Sequence, residues 1–330
     1  MRRREFITLV GGATVGWPLA ARAQQDGRVR RIGMLVGGAQ NDPDEQHNLG
    51  VLRDHLAKVG WVEGRNVRFD LRWGAGDDER MSAAAVELVS LAADVIITST
   101  GAATRAAQRA TQTIPIVFTA AGDPVANGLV RNIQRPEGNT TGFSGSEPSI
   151  AAKRLELLKE AAPHVSRVAV IFNPDLNLTA PSYIAAIEAA APALSIKAVV
   201  MPVRDAVDIV RAVDAFAAVP DGGLTVLPPP PPPAFLDAIL RLAQQHRLPA
   251  IYGARFIATA GGLLVYGSDN ADRSRRAASY VDRLLRGAKV SELPVQFPTS
   301  YKLIVNLKAA RAIGLDIPAT LTARADELIQ

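Results

Sequence analysis

Three short polar stretches in this 330-residue chain have residue types suited to holding a small charged molecule: Ser99-Thr100-Gly101, Gly122-Asp123-Pro124 and Asn173-Pro174-Asp175. Each follows a β-branched run and precedes a helical one. In open α/β sheets ligands bind at that place, because helix N-termini present free N–H groups and the positive end of the helix dipole there. The ligand expected is small and polar, with a carboxylate. Taken singly, each stretch reads first as a helix N-cap; their recurrence at one topological position is what points to a cleft. After a further strand the chain runs through six prolines, Pro228 to Pro233. Such a run donates no backbone hydrogen bonds and favours a stiff extended helix of about 3.1 Å per residue. In isolation it could serve as a ligand for aromatic-grooved domains. With a helix resuming at Ala234, it reads as a stiff wall of the cleft that begins at Pro228.

Enzyme motifs are incomplete. Gly74-Ala75-Gly76-Asp77-Asp78-Glu79 follows a strand like a dinucleotide loop but lacks the third glycine. Gly142-Phe143-Ser144-Gly145-Ser146 resembles a nucleophile elbow without its final glycine. His47, His55, His164 and His246 are scattered, and the chain has no cysteine, so neither a thiolate metal site nor a disulfide can form. No catalytic residue, metal ligand or cofactor is assigned from the sequence.

The loops need strands and helices to carry them. Strands are expected at Arg31–Val36, Val67–Trp73, Asp94–Thr98 and Ile114–Thr119, with helices at Asp44–Val59, Asp77–Ala92 and Thr100–Thr111 between them. This alternation predicts right-handed βαβ units and a parallel sheet covered on both faces. A Gly/Ser-rich stretch of little pattern, Thr141–Ser149, marks the break. The pattern then restarts, with strands at Arg167–Phe172, Ile196–Met201, Gly223–Leu227 and Pro249–Tyr252. Helices are expected at Lys153–Ala162, Ser182–Ala191, Asp205–Ala217 and Ala234–His246. Two α/β units of similar size predict two lobes. The tail has strand-like segments at Leu263–Tyr266, Val295–Phe297 and Leu303–Val305 and a helix at Arg273–Arg286, too few elements for a third domain. Returning the helix to the first lobe and the end of the chain to the second gives three crossovers. The expected division is 31–145 with about 266–298 for one lobe, and 146–262 with about 302–330 for the other.

The N-terminus carries an address. Arg3-Arg4-Glu5-Phe6-Ile7 has the twin-arginine form, a short apolar stretch follows, and Ala21-Arg22-Ala23 fits a signal-peptidase exit. Residues 1–23 are therefore expected to be a removed signal, with a mature start at Gln24 in the periplasm. That segment holds four arginines and one glutamate, so the formal charge of +5 falls to +2 without it. The basic balance is largely targeting and gives no support for a nucleic-acid partner. Beyond the signal no apolar run reaches the roughly 18 residues of a membrane span.

Several runs resemble a bacterial ABC-transporter substrate-binding family related to tryptophan-, tyrosine- and phenylalanine-binding periplasmic proteins. They are Gly60-Trp61-Val62-Glu63-Gly64-Arg65-Asn66-Val67, Thr113-Ile114-Pro115-Ile116-Val117-Phe118, Asp123-Pro124-Val125, Gly138-Asn139-Thr140-Thr141-Gly142-Phe143 and Leu157-Leu158-Lys159-Glu160. Ala260-Gly261-Gly262-Leu263, Tyr266-Gly267 and Asn306-Leu307-Lys308-Ala309-Ala310 continue the match, in order, over residues 31–330. The resemblance implies a type I periplasmic-binding-protein fold, two Rossmann-like lobes on a three-strand hinge. It implies a monomeric, non-catalytic solute receptor whose partners are a small-molecule ligand, an amino acid or related carboxylate, and an inner-membrane ABC permease. By the same resemblance Ser99, Thr100, Gly101, Asp123, Asn173, Pro228 and the Gly253–Arg255 region line the cleft. Arg255 would suit a ligand carboxylate through a bidentate pair. Where those relatives carry polar or acidic residues after the strand ending at Leu227, this chain has prolines, which leaves Asp123 as the acid for a ligand ammonium. The readings held against this one are a periplasmic α/β enzyme with a dispersed catalytic cluster, a ligand sensor of a signalling system, and the effector lobes of a transcription factor.

Overall fold

A computed structural model describes residues 28–145, 147–175, 177, 179–228 and 233–330. The expected signal at 1–23 and Pro229–Pro232 lie outside the described residues.

Five strands form a wholly parallel sheet: β1 (Arg30–Val36), β2 (Val67–Trp73), β3 (Val95–Thr98), β4 (Ile116–Ala121) and β5 (Thr140–Ser144), in the order β2-β1-β3-β4-β5. The inner strands are apolar on both faces because helices cover both, and Ile32, Leu35, Ile96, Ile116 and Val117 are fully buried. The helix Pro43–Lys58 starts where Asp42 accepts hydrogen bonds from the Asp44 and Glu45 N–H groups, at 2.9 and 3.2 Å. It buries Leu49, Leu52 and Leu56.

Strand β5 differs from expectation, since Thr140–Ser144 includes residues read as the irregular break. Its Thr-Thr-Gly-Phe-Ser sequence lacks the apolar run of its neighbours, and the register against β4 shifts between Phe118 and Ala121. Gly142 makes this possible. Its φ is +152°, and a Cβ there would lie 2.1 Å from the Phe118 carbonyl oxygen, so only glycine lets β4 and β5 approach.

The second sheet has seven strands: β6 (Arg167–Phe172), β7 (Lys197–Pro202), β8 (Gly222–Val226), β9 (Ala250–Tyr252), β10 (Leu264–Ser268), β11 (Tyr301–Asn306) and β12 (Glu327–Ile329). Their order is β12-β11-β10-β9-β8-β6-β7, parallel except for β10 against β11. Three passages join the sheets. The chain leaves β5 for the helix Ile150–Ala161, returns after β10, and leaves again before β11. Between the last two, the helix Asn270–Leu285 packs Ala277, Val281 and Leu284 into the core of β1, β3 and β4. Residues 295–297, expected as a strand, contribute a bridge between Gln296 and Phe143 on β5. Among the described residues no helix is long and apolar enough to cross a membrane.

Candidate functional site

The carboxyl ends of β1, β3 and β4 bring Gly37, Ser99 and Gly122 to one edge of the first sheet. The Ser99 hydroxyl accepts a hydrogen bond from the Gly37 N–H at 3.0 Å and lies 3.5 Å from Glu45 Oε1, to which it donates. Thr100 caps the helix Gly101–Ala110, its Oγ1 accepting from the Ala103 N–H at 3.2 Å. This part of the expected site is assembled as a group, with Gly101 as the first helical residue.

The other expected residues have partners within the chain. Asp123 Oδ1 accepts from the Val125 and Ala126 N–H groups at 2.9 and 3.0 Å, and Asn173 Oδ1 accepts from the Asp175 N–H at 2.9 Å. Both side chains thus close their own turns. Pro228 follows β8 and is half-buried. Arg255 departs from the expectation of a guanidinium open to a ligand carboxylate. Its Nε and Nη2 bind the two oxygens of Glu327 at 3.1 and 2.8 Å, and its Nη1 binds Asp44 Oδ1 at 2.9 Å. The hydrogen bond to Glu327, more than any other influence, raises the guanidinium pKa above its ordinary value. Two carboxylates of the chain already fill the fork.

Two charged groups not singled out from the sequence, Glu45 and Arg273, act at this edge of the first sheet, where Glu45 meets Ser99. Glu45 lies over the ends of β1 and β3, where a Cβ on Gly38 would meet its Cγ at 3.2 Å. Burial, reinforced by Asp42, lifts its carboxyl to about 7, against the opposing pull of Ser99 and Arg273. Arg273 is 7% exposed. Its Nη1 donates to Ser268 Oγ at 2.5 Å and the Gly145 carbonyl at 3.4 Å, and its Nη2 to Asn270 Oδ1 at 2.7 Å, while its Nε is buried without a partner among the described residues. Burial brings its pKa down to about 10, with Glu45 the leading influence that opposes the fall. Among the described residues no cluster of three His, Cys, Asp or Glu could hold a metal.

The family model for ABC transporter substrate binding proteins matches residues 41–329. The chain belongs to this family. A tyrosine-binding protein of Clostridioides difficile is 24% identical over 311 residues, 86% of this chain and 89% of that protein. A conserved domain protein of Vibrio cholerae superposes with a TM-score of 0.78 at 27% identity, over 91% of this chain and 100% of that one. A Streptococcus pneumonia ABC domain in complex with L-Trp gives a TM-score of 0.78 at 23% identity, over 91% and 99%. The fold is thus the two-lobed type I periplasmic-binding-protein fold, and the chain is the solute-binding component of an ABC transporter.

In this substrate-binding protein the passages between sheets are themselves part of the polar edge. Arg273 reaches from the returning helix to Gly145 beyond β5 and to Ser268 of β10, tying two of the three passages together. Arg154, on the first helix after the crossing, is 3% exposed and donates from Nε to the Tyr266 carbonyl at 2.9 Å. A signal for two of these residues exists in the sequence. Glu45 lies one turn before Leu49 on the buried stripe of its helix, and Arg154 lies between Ala151 and Leu155 on its own. A charge on an apolar stripe is the pattern that finds them.

Proposed function

We propose that the chain is an exported, monomeric periplasmic receptor that binds a zwitterionic amino acid between two lobes and presents it to an inner-membrane permease. The lobes are 31–145 with about 266–298, and 146–262 with about 302–330. The aromatic class, which the tyrosine-binding relative and the L-Trp complex suggest, is the first to test. Binding is non-catalytic, and the three passages act as the hinge on which the lobes close over the solute.

The observation that carries this reading is Glu45, a half-buried carboxyl group at the carboxyl ends of parallel strands, beside Ser99 and within the field of Arg273. It is suited to a ligand ammonium better than Asp123, whose oxygen serves its own turn. A thermal-shift screen of L-tryptophan, L-tyrosine and L-phenylalanine against neutral sugars tests the reading. A ligand at 100 times its dissociation constant adds about 2.7 kcal/mol of stability. Stabilisation by sugars alone overturns the amino-acid assignment, and an unchanged radius of gyration on binding overturns closure.

A further inference from the structure

Among the described residues no carboxylate pairs with Arg154, and its Nη1 is buried without any hydrogen-bond partner. The groups that act most on its charge are three phenols, Tyr183, Tyr301 and Tyr266, and the Tyr301 hydroxyl in turn donates to Glu147 Oε1 at 3.2 Å. Burial brings its pKa down to about 10, so it stays charged at neutral pH. A buried guanidinium is ordinarily paired, because the desolvation of its charge is otherwise uncompensated.

The chain keeps space for this side chain. A Cβ at Gly253 would fall 2.4 Å from its Nη2 and 2.8 Å from its Cζ. Tyr266 and Tyr301 stack beside it with ring centroids 5.6 Å apart. Gly253 directly follows β9, so the guanidinium stands at the carboxyl edge of the second sheet, where the parallel-sheet rule places a ligand. After β6, on the same edge, Asn177 Nδ2 is a second buried donor without an acceptor among the described residues, its Oδ1 being taken by the Thr179 N–H and hydroxyl at 3.1 and 2.9 Å. Among the described residues, two buried donors on this edge lack acceptors, whereas Arg255, the expected anion site, has two.

We infer that Arg154 is the anion-binding residue of the cleft and takes the carboxylate of the solute, with Asn177 as an accessory donor. This rests on the reading that a solute binds between the lobes. It assigns specificity to a residue that also braces Tyr266, so its test must separate recognition from support.

Calorimetry with L-tryptophan, indole-3-propionate, which lacks the ammonium, and tryptamine, which lacks the carboxylate, makes the separation. The unaltered protein should prefer L-tryptophan to tryptamine by about 100-fold or more, since a site built for a polar group rejects the analogue without it. In Arg154→Gln that preference should collapse to less than about tenfold, and in Arg154→Lys it should be partly restored. Gly253→Ala retains the charge but displaces the guanidinium, and should lower the preference as well. A loss of stability alone would weaken all ligands in proportion. Preference retained in all these variants overturns the inference. If the unaltered protein binds no amino acid but binds another carboxylate from a metabolite panel, the amino-acid reading fails and Arg154 is measured on that acid. A panel that yields only neutral or cationic solutes, or no acid at all, overturns the role of Arg154 itself.

Discussion

Asp44 and Arg255 join the two halves of the molecule, with Oδ1 and Nη1 2.9 Å apart. Asp44 stands in the first turn of the helix packed on the five-stranded sheet. Arg255 opens the short helix after β9 of the seven-stranded sheet and is held from behind by Glu327 on β12. A guanidinium held by one carboxylate of its own sheet and paired with another on the helix of the first sheet is arranged to link the two, as a latch, rather than to anchor a ligand.

Asp44→Asn removes the crossing charge and leaves the Arg255–Glu327 pair in place. With side-chain exposures of 46% and 26%, the pair contributes about 0.2–1 kcal/mol, so ligand affinity should fall no more than about fivefold. The loss should shrink at 0.5 M salt, where exposed charges are screened. Calorimetry at two ionic strengths checks both points, and equal or tighter binding at low salt would remove the latch.

Glu45 makes stability depend on pH. Its carboxyl is raised from 4.5 to about 7, chiefly by burial, so between these values the folded protein holds a proton that the unfolded chain has released. Stability is therefore greatest below about pH 4.5 with respect to this group, and is lost as pH rises through about 7. At about 1.4 kcal/mol per pKa unit the span is up to about 3 kcal/mol. Glu45→Gln should flatten the ligand-free melting curve between pH 5 and 8 and be the more stable form at pH 8. Parallel curves for the two proteins would show that Glu45 titrates normally. An ammonium ligand should draw the carboxyl back down and release a proton, which calorimetry in buffers of different ionisation enthalpy detects.

The architecture was legible where burial writes directly into sequence. Strands apolar on both faces, such as Ile116–Ala121, and capped helices such as the one following Thr100 are set by local residues. Elements held by distant partners were not. Strand β5 depends on Gly142 against Phe118, and the short helices Leu307–Ile313 and Ala319–Arg324 and the strand Glu327–Ile329 are too brief to persist without tertiary contacts. The site divides in the same way. Ser99 and Thr100 follow from their position after a strand and Arg154 from its place on an apolar helical stripe, though its partner Tyr266 is 112 residues away, whereas Arg273 acquires meaning only from Gly145, 128 residues away. Arg255 shows the converse, since its partners Asp44 and Glu327 come from opposite ends of the chain.

Tyr252 gives a prediction about stability alone. The residue is fully buried, its hydroxyl has no hydrogen-bond partner among the described residues, and burial pushes its pKa above the ordinary phenol value. An unpaired buried hydroxyl carries a desolvation penalty of about 1–3 kcal/mol that phenylalanine does not. Tyr252→Phe should therefore leave the melting temperature unchanged or raise it. A fall of more than about 2 °C would mean that the hydroxyl does bond, for instance to an ordered water.

Asp123 separates a turn residue from a ligand residue. Its Oδ1 accepts two backbone hydrogen bonds, from Val125 and Ala126, and its own carbonyl accepts from the Asn127 N–H at 3.0 Å. These bonds fix the turn that follows β4 at the cleft edge. Replacing such a cap by alanine typically costs about 1 kcal/mol. An acid paired with a ligand ammonium in a closed cleft would instead cost about 2–5 kcal/mol of affinity. Because the oxygen is already engaged, Asp123→Ala should lower the melting temperature by about 2–4 °C and change affinity by less than about threefold, under 1 kcal/mol. Glu45→Gln measured beside it should show the reverse, with weakened binding of an ammonium ligand and no loss of stability at pH 8. A large affinity loss in Asp123→Ala with an unchanged melting temperature would return the ammonium site to Asp123 and leave the half-buried Glu45 as a purely structural acid.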